Sequence, residues 1–150
     1  MIAALIAAAS ALLGVAVSTV LSHRQARTVR EEARTDQRRV EALAAVTQLA
    51  AALADHRRTM WLREEARLSG DTGRYESLRT ASHATRSAIT GPMTAIHILT
   101  PRLIAAADTA AAAAYLLRGA DDRRSLDLLR EQAIDAQAAF VTAARTELGH

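Results

Sequence analysis

Cysteine and lysine are both absent from this 150-residue chain. Without thiols it forms no disulfide, offers no thiolate nucleophile and builds no cysteine-ligated metal site. Without lysine, all 19 basic residues are arginine, a usage that fits a GC-rich coding sequence. Aromatics number four: Trp61, Tyr75, Tyr115 and Phe140. Only two prolines and six glycines interrupt the chain, so little in it breaks a helix. No stretch alternates β-branched and polar residues, which argues against strands. The fold expected is therefore all-α.

Motifs that carry chemistry are missing as well. There is no Gly-rich phosphate loop, nucleophile elbow or nucleic-acid motif. The histidines His23, His56, His83, His97 and His150 lack the spacing that puts two ligands on one metal. Acid doublets occur at Glu31-Glu32, Glu64-Glu65 and Asp121-Asp122. Adjacent helical residues do not face each other, so these are not acid/base dyads. The sequence points away from an enzyme, a cofactor or a metal. The arginines lack interleaved aromatics, so direct nucleic-acid binding is not expected.

Charge is missing from residues 1–22, and Arg24, Arg27 and Arg30 follow directly. As a helix, 22 residues reach about 33 Å, enough to cross a hydrocarbon core of about 30 Å. A cleavable signal peptide wants its positive charge before the apolar run, whereas here it comes after. That bias predicts a single-pass membrane anchor, N-terminus outside and the remainder cytoplasmic. The run is rich in Ala, Gly, Ser and Thr, so its insertion energy is modest. Ser10, Gly14 and Ser18, spaced by four, form a small-residue stripe where two such helices could associate. The plainer reading is that the stripe reflects composition. Arg24, Arg27 and Arg30 are placed to meet lipid headgroups, and equally serve as the topology signal. The net charge of +3 and sequence pI near 10.5 favour acidic surfaces of this kind.

Residues 23–39 carry six arginines and almost nothing apolar, which reads as a solvated stalk. Residues 40–150 read as a helical bundle. An apolar face starts at Val40, and Val46, Leu49, Leu53, His56 and Met60 follow 3-4 spacing, with Leu43 and Ala50 beside them. This is a bundle or coiled-coil stripe. Gly70 suits a left-handed cap ending the first helix. A second helix is expected from about Arg74 to Leu99, kinked or broken at Gly91-Pro92. Thr100-Pro101 should cap and start a third, alanine-rich helix reaching about Arg118. A fourth follows from about Asp122 to Leu148, with Leu126, Leu129, Ala133, Ala136, Phe140 and Ala143 as its stripe. Short connections make consecutive helices antiparallel, about four in all.

The densest stretch is Asp55-His56-Arg57-Arg58-Thr59-Met60-Trp61. Read as a partner surface, His56 would titrate near neutral pH and Arg57 would stack on Trp61 at i,i+4. Read as packing, Met60 and Trp61 close the end of the bundle.

The layout resembles the KilB-type proteins of conjugative plasmids in mycelial actinobacteria and their chromosomal relatives. The resemblance rests on the N-terminal run, the arginines after it, Arg39-Val40-Glu41-Ala42-Leu43, Ala54-Asp55-His56-Arg57-Arg58-Thr59-Met60-Trp61 and Thr90-Gly91-Pro92. It implies a membrane-associated factor in plasmid spread between hyphal compartments, toxic when unregulated. Two other functions fit the residues. One is a membrane-tethered scaffold binding another protein by helix packing. The other is a holin-like membrane-permeabilising protein. A homo-oligomer and a protein partner are both compatible with these readings.

Overall fold

The structure, a computed structural model, describes the backbone of residues 2–149 and the side chains of residue 27 and residues 29–149. It contains helix and no strand among the described residues: α1 (Ile2–Ser69), α2 (Thr72–Leu99), a short 3₁₀ turn (Pro101–Leu103), α3 (Ile104–Tyr115) and α4 (Arg123–Leu148). The chain divides into two compact units, residues 1–38 and residues 39–150.

In the first unit the described side chains, Arg27 and Arg30 included, are exposed. The small-residue positions Ser10, Gly14 and Ser18, the apolar run at residues 1–22, and Arg24 lie outside the described side chains. Among the described residues, no helix is long and apolar enough to cross a membrane.

The second unit is a four-helix bundle. Polar contacts fix the directions of its helices. Glu65 meets Arg123, Trp61 meets Asp127, and the Ala50 carbonyl meets Gln137, so α1 and α4 run antiparallel. His56 with Thr85 and Glu65 with Arg74 do the same for α1 and α2. His97 and Asp108, 3.2 Å apart, join α2 to α3.

The core forms because each helix offers one apolar stripe and nothing else large. Leu49, Leu53, Ile89, Ile96, Leu103 and Phe140 pack around Ala107, Ala110, Ala111 and Ala114 of α3. Alanines there let the neighbouring backbones approach closely. A second cluster holds Met60, Leu117, Ala120, Leu126 and Ala133, with Trp61, Leu68 and Leu129 against it. The 3-4 stripe of α1 is thus spent inside its own bundle, and no coiled coil is formed among the described residues. The buried face starts at Ala42, because Val40 and Leu43 are exposed.

The ends of the helices follow their local chemistry. Gly70 (φ 76°) and Gly119 (φ 80°) hold the left-handed backbone that turns the chain. Asp122 accepts from the Ser125 amide in a capping box that starts α4. Of the kink or break expected at Gly91-Pro92, the break is corrected, because α2 is continuous through Pro92. Thr100 stands at the N-cap of the 3₁₀ turn, followed by Pro101 as expected, but its side chain makes no capping bond. Its amide and its hydroxyl both turn back to the Ile96 carbonyl, closing α2 instead.

Candidate functional site

The Ala54–Trp61 stretch lies on α1, and its side chains leave the helix toward different neighbours. Trp61 and Arg57 are half-buried against α4. The Trp61 indole donates to Asp127 at 3.1 Å. Arg123 and Arg130 stand over its ring at 4.7 and 5.1 Å. Arg57 donates to the Gln137 side chain, and Gln137 in turn donates to the Ala50 carbonyl at 3.0 Å. The Arg57–Trp61 stack of the partner-surface reading is not formed, whereas Met60 and Trp61 pack at the second core cluster as the packing reading has it. Arginines from α4 take the ring, and Arg57 reaches across to a different partner. Burial, and then the charge of Arg130, hold Arg57 below the ordinary arginine value.

Of these residues Arg57, Trp61 and Arg130 line a groove of about 370 Å³, with Ala54, Asp55, Arg58 and Leu62. Its lining carries three guanidinium groups (Arg57, Arg58 and Arg130), one indole and one aspartate, Asp55. Such a surface suits acidic and aromatic side chains of a protein partner. It offers no nucleophile paired with a base. Among the described residues no group of His, Asp and Glu is arranged to hold a metal ion.

His56 is not part of that surface. It is 2% exposed, buried on the inner face of α1. Its Nδ1 lies 2.9 Å from the Thr85 hydroxyl, and Tyr115 packs edge-on at 5.4 Å. Its pKa falls to about 4, first because burial disfavours the charged ring and then because Arg86 and Arg63 are close. It is neutral at pH 7 and does not titrate there.

Arg63 and Glu64 are buried charges, and the burial of Arg63 was not expected. Arg63 continues the α1 stripe after Met60, so its position on the inner face was legible from spacing alone. Its guanidinium reaches Ser82 at 3.5 Å and the Tyr75 hydroxyl at 3.4 Å. Glu64 is held by Arg67 at 2.6 Å, and Arg67 also donates to the Ala120 carbonyl. Two side-chain atoms in this group, Arg63 Nε and Glu64 Oε1, are buried without a hydrogen bond.

The family described as KilB plasmid transfer protein matches residues 43–148. The chain belongs to the KilB family. It is 49% identical over 150 residues to Protein KilB of Streptomyces lividans, an alignment that covers 99% of both chains. The family match therefore includes the Trp61 groove and the His56 surroundings. The relative also aligns with the uncharged N-terminal run. No solved structure matches the chain.

Proposed function

We propose that the chain is a membrane-anchored member of the KilB plasmid transfer family, contributing to plasmid spread and toxic when its expression is unregulated. The observation that carries this reading is the family match, joined to a relative aligned over nearly the whole length. The uncharged residues 1–22, with arginines directly behind them, support an anchor with its N-terminus outside and the bundle in the cytoplasm. Self-association through Ser10, Gly14 and Ser18 would gather several bundles at one place in the membrane. The exposed Arg27 and Arg30 would then lie beside anionic headgroups. The bundle contributes binding, not chemistry.

Induced expression tests this reading. Growth and membrane potential are followed for the full chain and for one lacking residues 1–22. Growth arrest with loss of potential from the full chain alone is the expected result. Harmless expression of both removes the toxic role.

The groove beside Trp61 favours a second reading, a tethered adaptor whose bundle binds another protein. Its three arginines suit an acidic partner surface. Replacing Arg58 and Arg130 with glutamate would then abolish plasmid spread while leaving membrane association intact.

A further inference from the structure

A second cavity, of about 70 Å³, lies between α1, α2 and the end of α3. Its walls carry three guanidinium groups, Arg63, Arg86 and Arg118, and two imidazoles, His56 and His83. No aspartate or glutamate lines it. One water needs about 10–15 Å³ of such space, so the cavity has room for several waters or one tetrahedral oxyanion.

Its charge is not balanced from within. Among the described residues Arg86 and Arg118 form no ion pair. Glu64 is the carboxylate beside Arg63, 3.6 Å from its Nε, but its other oxygen is held by Arg67 at 2.6 Å. Arg63 is 9% exposed, and its Nε makes no hydrogen bond. Its remaining contacts are long: 3.5 Å to Ser82, 3.4 Å to Tyr75 and 3.8 Å to the Met60 sulfur. Arg63 thus has Glu64 as an ion-pair partner beyond hydrogen-bond reach, which leaves its donors free for a closer anion. Arg86 stands 4.3 Å over the Tyr115 ring, which positions its guanidinium at the cavity. The pKa of His56 is lowered first by burial, with Arg86 and Arg63 adding to the fall.

We propose that this cavity binds a phosphate-sized oxyanion, with Arg63, Arg86 and Arg118 as its ligands. Guanidinium groups suit this chemistry because their planar donors match phosphate oxygens in pairs. Arg63 supplies the buried anchor, and Arg86 and Arg118 close over the anion from the solvent side. The same group is carried by free phosphate and by a phospholipid headgroup.

The test uses the full chain in neutral detergent micelles. Sodium phosphate is titrated against sodium chloride at equal ionic strength. Thermal midpoint and the His56 ring signals in NMR are the two readouts. Phosphate should raise the midpoint and lift the His56 pKa from about 4 toward its ordinary value, while chloride does neither. Arg86→Gln and Arg118→Gln are exposed positions outside the apolar core. Each should weaken the apparent affinity by about tenfold. Arg123→Gln, at the Trp61 ring, should leave it unchanged. A second arm dopes the micelles with a short-chain phosphatidic acid and omits phosphate. A response to inorganic phosphate identifies a free ion as the ligand. A response to the lipid alone, lost in Arg86→Gln, identifies a headgroup. No response to either, an equal response to chloride, or a response indifferent to both substitutions overturns the proposal.

Discussion

His56 binds its proton less tightly in the folded chain than in the unfolded one. The folded value is about 4 against an ordinary 6.5. Between those values the unfolded state holds more protons, so stability rises with pH across that window. The contribution is complete above about pH 6.5 and is lost as pH falls toward 4, about 3 kcal/mol in all. The groups around His56 are Arg63 on its own helix, His83, Thr85 and Arg86 on α2, Tyr115 on α3 and Arg118 just beyond it. None carries negative charge at these pH values. The urea midpoint should therefore fall steeply from pH 7 to pH 4.5, and His56→Gln should flatten that fall. Equal slopes in both proteins would contradict the buried neutral ring. Trp61 is half-buried, and much of its worth comes from apolar area against the second core cluster. Trp61→Ala should cost about 2 kcal/mol in urea unfolding at pH 7, below the cost of a fully buried tryptophan. These two residues also show why site reading from sequence falls short here. Helical spacing supplies a residue's neighbours on its own helix. The partners of His56 and Trp61 come from α2, α3 and α4, so the expected titration near pH 7 and the Arg57 stack both gave way to contacts across the bundle.

Pro92 has no N–H to give to the carbonyl one turn back, yet α2 runs through it unbroken from Thr72 to Leu99. The turns on either side are pinned by Ile89 and Ile96, both in the core, which holds the helix together across the missing bond. Pro92→Ala restores that donor. It should stabilise the bundle by about 1–2 kcal/mol, read as a higher thermal midpoint. A lower midpoint would mean that the half-buried proline ring packs for more than the lost bond. At this scale the sequence was informative. Gly70, Gly119 and the Asp122 cap are local signals, and each helix end falls within a few residues of its signal. The stripe of α4 was legible for the same reason, since a 3-4 period needs no tertiary information. What escaped was tertiary choice. Val40 and Leu43 look as apolar as Val46 but face solvent. Thr100 looks like an N-cap but spends its hydroxyl on the preceding helix.

At the scale of the whole molecule, composition separates two environments. Residues 1–22 have no charge, whereas the bundle of residues 39–150 buries its apolar stripes within itself. A bundle that has consumed its own stripes has no reason to enter a bilayer. On the anchored reading proposed above, insertion into the membrane belongs to residues 1–22. Fractionation of cells expressing the full chain, or a chain lacking residues 1–22, followed by alkaline carbonate extraction of the membranes, tests this most directly. The full chain should stay in the membrane pellet, and the shortened chain should be found in the supernatant with helical circular dichroism. Release of the full chain by carbonate, or retention of the shortened one, would contradict the anchored account.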